Sequence, residues 1–279
     1  MNESPMLMSA PAKLNLCLNV KHRRADGYHE LDMLNLAVSL CDTLEFMPAK
    51  TIEVSYENLA PPKFDLIAAA ADAYAQESSK QLGCRITVYK RIPEQAGLGG
   101  GSADAAAVLR LMQSAYKALS SSTLFEVARS LGADVPFCLY SVACRVGGIG
   151  EKLKPLALNN KKLWFLIIKP KEGIKTAELF SYLKLPVEYK NINLAERALI
   201  NGDLKTLGEQ LGNSLEPAAF ERLPKIGQYH SSLMEAGALG ASMTGSGSAV
   251  FGLFKDEAAA KSAQAKIQEA AFSFVCHSL

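Results

Sequence analysis

Residues 93–107 read Pro-Glu-Gln-Ala-Gly-Leu-Gly-Gly-Gly-Ser-Ala-Asp-Ala-Ala-Ala, a glycine-rich loop that runs directly into an alanine-rich helix. Four of the five positions from Gly97 to Gly101 are glycine, which leaves the backbone bare and able to adopt positive φ angles. Ser102 is predicted to cap the helix, with Asp104 in its first turn. Because a helix start carries free N–H donors and a partial positive charge, this stretch predicts an anion site, and the expected anion is a nucleotide phosphate.

The loop does not match the two commonest phosphate-binding signatures. No Lys follows the glycines, as a Walker loop requires. The last position of a Gly-x-Gly-x-x-Gly fingerprint is occupied by Ser102. The alternative interpretation is a tight strand-to-helix turn without a ligand, which a run of four glycines does not favour.

The composition is that of a globular protein. The chain has 279 residues, 49% of them hydrophobic and 21% charged, with a net charge of +2, so it can form one large or two ordinary domains and shows no sign of nucleic-acid binding. Six cysteines occur without a Cys-x-x-Cys pair, which predicts free thiols in a reducing compartment. The N-terminus lacks a secretion-signal pattern, and the apolar run at residues 163–168 is too short to cross a membrane. We therefore expect a cytoplasmic protein.

Hydrophobic periodicity predicts a mixture of helices and strands without strict alternation, which indicates the α+β class. Strands are predicted at residues 14–20, 44–46, 52–56, 85–89, 163–168 and 249–254, with a short one closing the chain. Helices are predicted at residues 65–76, 102–116, 122–130, 175–183, 193–200, 204–211, 223–236 and 257–271. The polar segment 154–162, which contains Asn159 and Asn160, is predicted to separate two domains.

Two further segments have the composition of a nucleotide site. Lys13 and Asn15 lie two apart on a predicted strand, so both side chains point to one face. That face either lines a polar pocket or is the wet side of an amphipathic strand. The sequence Thr-Gly-Ser-Gly-Ser at residues 244–248 is suited to donate hydrogen bonds to a phosphate or to brace the first glycine loop. Its alternative is an ordinary loop before a strand.

Asp134 is a candidate catalytic base. It stands two residues before Pro136, a position from which a carboxylate can also simply cap a helix. The sequence alone leaves both interpretations open.

Taken together, these segments resemble the GHMP kinases, the family of galactokinase and of homoserine, mevalonate and phosphomevalonate kinases. That family has a Pro-x-x-x-Asn-like segment, a Pro-x-x-x-Gly-Leu-Gly-x-x-Ser loop and a C-terminal glycine turn, which match residues 11–15, 93–102 and 242–248. The resemblance extends from about residue 9 to residue 254. It implies an α+β fold of two domains: a ribosomal-protein-S5-like nucleotide domain at residues 1–157 and a ferredoxin-like substrate-binding domain at residues 158–279.

The sequence Ala-Asp-Gly-Tyr-His at residues 25–29 narrows the resemblance to members that phosphorylate a cytidine-diphosphate-linked polyol in non-mevalonate isoprenoid synthesis. This resemblance implies direct in-line transfer with Asp134 as the base and Lys13 as a supporting cation. The implied substrate-binding residues are Asn15, Tyr28, His29, Thr176 and Phe180. In that scheme the two aromatic rings cover opposite faces of the cytosine, and the histidine bonds the edge of the base.

The resemblance also implies ATP as the phosphate donor, with Mg²⁺ bridging its phosphates and no metal ligand assigned in the chain. The implied ATP-binding residues are Asp65, Lys90, Pro93, Gly97, Leu98, Gly99, Gly100, Gly101, Ser102 and Ala103. Asp65 and Ala103 stand where the family usually has Asn and Ser. The expected partner is the small-molecule substrate, without nucleic acid or membrane, and the expected state is a monomer or weak homodimer. Alternatives are a GHMP kinase with another acceptor, a catalytically silent nucleotide-binding homologue, or an α+β protein whose glycine turns are only structural.

Overall fold

The computed structural model describes residues 4–57, 60, 62–158, 161–185, 187 and 189–279. These residues pack as two compact units, which we call unit 1 and unit 2. Unit 1 takes residues 4–12, 40–92 and 99–141, and unit 2 takes residues 13–39, 93–98 and 142–279. The linker residues Asn159 and Asn160 lie outside the described residues, and the domain boundary at residues 157 and 158 stays a prediction.

The secondary structure mixes strands and helices along the whole chain. The strands are β1 (Met6–Arg23), β2 (His29–Ala49), β3 (Ile52–Tyr56), β4 (Gly83–Tyr89), β5 (Cys144–Gly148), β6 (Lys152–Pro155), β7 (Trp164–Lys169), β8 (Gly212–Asn213), β9 (Gly240–Met243), β10 (Val250–Phe254) and β11 (Phe272–His277). The helices are α1 (Leu66–Ser78), α2 (Gly100–Tyr116), α3 (Ser121–Leu131), α4 (Val135–Tyr140), α5 (Thr176–Ser181), α6 (Ile192–Asn201), α7 (Leu204–Gln210), α8 (Glu216–Arg222), α9 (Pro224–Glu235) and α10 (Glu257–Lys266). This mixture confirms the predicted α+β class.

Unit 1 packs α1 to α4 with the sheet segments formed by β3, β4 and the second part of β2. β4 runs antiparallel to β2, from the pair Thr43 and Tyr89 to the pair Ala49 and Gly83, and β3 runs parallel to β4. Every residue of α2 from 103 to 109 is buried. Small alanine side chains allow this close packing against α1, which is itself built on alanine. The end of the glycine loop is therefore fixed to a buried helix.

Unit 2 contains the first part of β2, paired antiparallel with β5, and the part of β1 that pairs parallel with β8. A four-stranded antiparallel sheet in the order β11-β7-β10-β9 forms the rest of its framework. Helices α9 and α10 pack on this sheet. The arrangement is the ferredoxin-like one that was expected for the C-terminal half.

Several predicted boundaries differ from the observed ones. Helix α2 begins at Gly100, with Gly99 as its N-cap at φ 71° and without a side-chain cap, so the prediction that Ser102 caps it is wrong. The helix starts earlier because glycine enters it from the left-handed region, and this places Asp104 beyond the first turn. Helix α10 ends at Lys266 instead of continuing to residue 271. The short elements β5, β6, β8, β9 and α8 were not predicted, because elements of this length show no clear hydrophobic periodicity.

The six cysteines, all among the described residues, are free thiols, as predicted. Burial raises the pKa of Cys17 and of Cys84 to about 12, so both remain protonated and unreactive at neutral pH. Within the described ranges, no helix combines the length and the apolar character that crossing a bilayer requires.

Candidate functional site

Lys13 and Asn15 begin a buried polar network in unit 2. Their side chains share one face of β1, and Lys13 Nζ donates to Asn15 Oδ1 at 2.6 Å. They are only 3% and 1% exposed, so the alternative of a wet strand face is wrong. Asn15 Nδ2 donates onward to Asn35 Oδ1 at 2.7 Å and lies 3.5 Å from Met33 Sδ. The network thus joins a cation to two amides under the sheet face.

The C-terminal glycine turn closes over this network. Asn15 Oδ1 accepts from the backbone N–H of Gly245 at 2.7 Å and from the hydroxyl of Thr244 at 3.3 Å. The backbone N–H of Asn15 donates in turn to Thr244 Oγ1 at 3.2 Å. A Cβ on Gly245 would lie 2.9 Å from the Gly97 carbonyl oxygen and 3.1 Å from Lys13 Nζ, and φ is 56°, so a glycine suits this approach. Because both of its amide atoms are engaged, Asn15 joins β1 to the turn, and its role in holding substrate stays a prediction.

The same turn braces the first part of the glycine loop. Thr244 Oγ1 also lies 3.2 Å from the Gly97 carbonyl oxygen, and the N–H of Ser248 donates to the Gln95 carbonyl at 3.1 Å. The Leu98 carbonyl oxygen accepts from the N–H of Lys13 at 2.9 Å. Gly97 has φ 71°, and a Cβ there would clash with the carbonyl oxygen of Thr244. Of the two roles considered for residues 244–248, bracing the loop is therefore confirmed.

Asn213 in β8 and Glu216 at the start of α8 hold the glycine turn through hydrogen bonds. Asn213 Nδ2 donates to the carbonyl oxygens of Met243 and Gly245, at 2.8 and 2.7 Å. Glu216 Oε1 accepts from the N–H of Met243 and the hydroxyl of Ser242. Burial raises the pKa of Glu216, although these two hydrogen bonds act to lower it. The sequence assigned neither residue a role, because their partners lie far away along the chain.

Unit 1 contains the start of α2 and a buried charge cluster beside it. Lys90 Nζ donates to Asp104 Oδ2 at 2.6 Å and to Asp42 Oδ2. The other oxygen of Asp42 accepts from the N–H groups of Arg91 and Ile92, at 2.5 and 2.8 Å. A Cβ on Gly100 would lie 3.4 Å from Lys90 Nζ, so the ammonium group sits beside the helix start. The cluster therefore fixes both a cation and the residues that lead into the loop.

The charges of this cluster shift its pKa values. Burial raises the pKa of Asp104 to about 7; the Lys90 cation acts to lower it, and Asp42 raises it further. Burial alone would lower the pKa of Lys90, but the two carboxylates outweigh it, so that the pKa is raised. Lys90 is thus held as a cation, while Asp104 titrates near neutrality. The role of Lys90 in binding ATP stays a prediction.

The remaining predicted ATP-binding residues lie at the N-cap of α1, in the loop before α2 and in the first residues of α2. Asp65 caps α1, where Oδ1 accepts from the N–H groups of Ile67 and Ala68 at 2.9 and 3.2 Å. An Asn at this position could make the same cap. Leu98 and Ala103 are buried, and Pro93, Gly101 and Ser102 are partly or fully exposed. Their contacts with nucleotide stay predictions.

Asp134 occupies the N-cap position of the short helix α4, but its side chain makes no cap hydrogen bond. The residue is half-buried. The alternative in which its carboxylate serves as a helix cap is therefore wrong. Its role as a base stays a prediction.

The predicted base-binding residues surround a tight turn in unit 2. Arg24 ties this turn to Asp26 at 3.0 Å and to Glu30 at 2.7 Å, and the turn leaves Tyr28 62% exposed. The rings of His29 and Phe180 lie 5.0 Å apart at an angle of 31°. Burial lowers the pKa of His29, and the charge of Arg23 lowers it further.

Thr176 lies at the start of α5, the helix that also carries Phe180. Its hydroxyl is 2.7 Å from that of Ser246, which joins α5 to the glycine turn. Three of the predicted base-binding positions, Thr176, His29 and Phe180, thus lie within unit 2 on segments joined by direct contacts.

Comparison with known proteins places this arrangement in a family. Residues 65–142 match the GHMP kinases N terminal domain, and residues 195–272 match the GHMP kinases C terminal domain. A relative from Pelotomaculum thermopropionicum, a 4-diphosphocytidyl-2-C-methyl-D-erythritol kinase, is 38% identical over 264 residues, or 92% of each chain. Another with the same name, from Carboxydothermus hydrogenoformans, is 40% identical over 92% of this chain and 91% of its own.

Solved structures give the same result. A crystal structure of a 4-(cytidine 5'-diphospho)-2C-methyl-D-erythritol kinase superimposes with a TM-score of 0.86 and 35% identity, covering 98% of this chain and 99% of that one. Homoserine kinase from Cytophaga hutchinsonii has a TM-score of 0.77 at 19% identity, over 100% of this chain and 96% of its own, which shows a shared fold. The chain therefore belongs to the GHMP kinase family.

Proposed function

We propose that the protein transfers the γ-phosphoryl group of ATP to the 2-hydroxyl of 4-diphosphocytidyl-2-C-methyl-D-erythritol, a step of non-mevalonate isoprenoid synthesis. The observation that carries this proposal is the similarity to kinases of that name over more than nine tenths of the chain. The turn that presents Tyr28, with His29 against Phe180, supports the choice of a cytidine-containing acceptor.

Phosphoryl transfer passes through a loose transition state, so catalysis depends on positioning and on neutralising charge. The bare helix start at Gly99 and Gly100 is suited to hold the phosphates of ATP. Lys13 supplies a cation whose position is fixed by Asn15 and the glycine turn. Asp134 receives the proton of the acceptor hydroxyl as the new P–O bond forms and the bond to ADP breaks.

Recognition of the cytosine uses a neutral histidine. The lowered pKa of His29 keeps its ring uncharged at neutral pH, so one ring nitrogen donates and the other accepts. Tyr28 is exposed enough to stack on the base, and Phe180 supplies the second apolar surface.

ATP is expected to bind as its Mg²⁺ complex. Mg²⁺ in such sites keeps several waters and takes only one or two protein oxygens besides the phosphates. Among the residues that the structure describes, no group of three or more His, Cys, Asp or Glu is placed to hold a metal, which fits an ion carried mainly by the nucleotide. When bound, it would neutralise phosphate charge.

We further propose that the enzyme works in the cytoplasm as a monomer or weak homodimer. The six free thiols support a reducing compartment. Sedimentation at micromolar concentrations would test the assembly state, and a stable larger oligomer would contradict it.

The function is tested by coupled detection of ADP with ATP, Mg²⁺ and the acceptor, together with mass spectrometry of the product. We expect ADP release that depends on the acceptor and one added phosphate on the cytidine compound. Turnover only of mevalonate, homoserine or galactose would assign another acceptor. Binding of ATP and acceptor without turnover would indicate a silent homologue.

Asp134→Asn tests the proposed base. The variant keeps the size of the side chain, and it removes no cap bond of α4, because the native side chain makes none. We expect turnover to fall by at least about 100-fold because general-base contributions are of that order, while ATP binding measured by calorimetry is retained. Near-normal turnover would remove Asp134 from this role.

A further inference from the structure

The donors around Lys13 fix the orientation of two buried amides. Lysine has only N–H donors, so the Asn15 atom 2.6 Å from its Nζ must be the oxygen. The backbone N–H of Gly245 requires the same assignment. The other Asn15 atom is then the NH₂ group, and the atom of Asn35 that receives it at 2.7 Å must also be an oxygen. Asn35 Nδ2 is therefore the last group in this series of hydrogen bonds, and its N–H donors point away from Asn15.

This amino group has no hydrogen-bond partner among the described residues, although it is buried and Asn35 as a whole is 1% exposed. A buried donor without a partner is costly to a protein, and such groups are rare in native structures. Flipping the amide does not remove the problem, because it would set two NH₂ groups against each other. A ligand oxygen placed beside Asn35 Nδ2 would give this donor a partner.

The strand places this donor on the face that carries the proposed acceptor site. Met33 Sδ and Asn35 Oδ1 both contact Asn15 Nδ2, so the two side chains lie on one face of β2. The pairing with β5 is regular from Leu31 to Asn35, and alternation extends the same face to His29. The six steps along the strand from His29 to Asn35 span about 20 Å, comparable to an extended nucleoside diphosphate with a short polyol attached.

We propose that Asn35 is a specificity-determining residue for the acceptor, whose Nδ2 donates a hydrogen bond to an oxygen of the polyol end of the substrate. This inference rests on the proposed function. With the base held at His29 and Phe180, the polyol lies along β2 and ends beside Lys13 and Asn35. Met33, a flexible unbranched side chain on the same face, moves aside to admit it. Asn15 then acts as the brace, and the donor expected of it is supplied by Asn35.

Asn35→Asp is the direct test, because it keeps an oxygen for Asn15 Nδ2 and replaces the orphan N–H donor by a second oxygen. The acid that it introduces is matched in the control variant. The matched control is Asn19→Asp, at a buried amide on β1 whose Nδ2 already donates to the Lys190 carbonyl oxygen at 2.9 Å. We expect Asn35→Asp to raise the KM for the acceptor about tenfold, the usual effect of one lost hydrogen bond, with the KM for ATP unchanged. The control should keep both KM values, whatever its effect on the melting temperature.

A substrate analogue sharpens this test. For an acceptor that lacks the bonded hydroxyl, the wild type and Asn35→Asp should have the same KM. An unchanged acceptor KM in Asn35→Asp would overturn the proposal, and so would a parallel rise in both KM values with a lower melting temperature. Calorimetric Kd values for the acceptor give the same comparison without turnover. If the wild type bound the acceptor but did not phosphorylate it, the proposed function would fail while these Kd values still decided the role of Asn35.

Discussion

The two units hold a buried lysine in different ways. In unit 2, the ammonium of Lys13 is bonded to an amide oxygen that itself accepts from Gly245 and Thr244. In unit 1, the ammonium of Lys90 is bonded to the two carboxylates of Asp42 and Asp104. Asn15 contributes a dipole that orients the cation, whereas the two aspartates bring opposite charge to it.

This difference separates two uses of a lysine. Lys13 Nζ lies beside the glycine turn on the strand face, where a positioned cation suits stabilisation of a transferring phosphoryl group. The charge of Lys90 is balanced by the carboxylate of Asp42, and Asp42 in turn fixes the backbone at Arg91 and Ile92 that leads into the glycine loop. We therefore expect Lys13 to contribute mainly to turnover and Lys90 mainly to stability and nucleotide binding.

The largest expected effect is the loss of turnover in Lys13→Met. Removing a preorganised donor from a transition state costs about 100- to 1,000-fold, and we expect a fall in kcat of that order with little change in the KM for ATP. Lys90→Met is the matched variant. It leaves two buried carboxylates without their cation and should lower the free energy of unfolding by about 3–5 kcal/mol, with a smaller effect on kcat.

Steady-state kinetics and urea unfolding of both variants would check this contrast. Equal losses of kcat in the two variants would show that Lys13 and Lys90 do not differ in their contribution to turnover.

A smaller effect is expected where the glycine turn meets the loop. In Gly97→Ala, the new methyl group meets the Thr244 carbonyl oxygen at a positive φ, so we expect a loss of about 3 kcal/mol in the free energy of unfolding. Gly101→Ala is the control, since a Cβ there has no atom within 4 Å and helix propensity favours alanine by about 1 kcal/mol. If Gly97→Ala were as stable as the control, the brace between the turn and the loop would be unimportant.

The smallest effect is a dependence of stability on pH that comes from Asp104. Its native pKa of about 7 lies above the value of about 4 for a free aspartate, so the folded protein binds more protons between these values. The free energy of unfolding should therefore fall as the pH rises through this window, by about 2 kcal/mol from about pH 5 to about pH 7 relative to Asp104→Asn.

Urea titrations of the wild type and Asp104→Asn at several pH values would measure this difference. Parallel pH profiles would show that Asp104 does not hold its proton in the native state.

The sequence was sufficient for the features that depend on local chemistry. The glycine loop, its entry into an alanine-rich helix, the placement of Lys13 and Asn15 on one strand face, and the α+β class were all predicted and confirmed. Ser102 as a cap was wrong because a glycine in the left-handed region started the helix earlier. Asp104 stood out as one acid in a run of alanines, yet its partners were not evident from that pattern.

The sequence by itself determined the local conformation: positive φ at the glycines, free N–H donors at a helix start, and the alternation of side chains along a strand. The tertiary structure alone decided which groups form hydrogen bonds. Asn15 bonds to Asn35, 20 residues away in the sequence, Lys90 to Asp42, 48 residues away, and Thr244 to Asn15, 229 residues away. The orphan donor of Asn35 and the raised pKa of Asp104 arise only from such meetings. Burial and hydrogen-bond partners set the energy of a polar group, and chain folding brings both from distant segments.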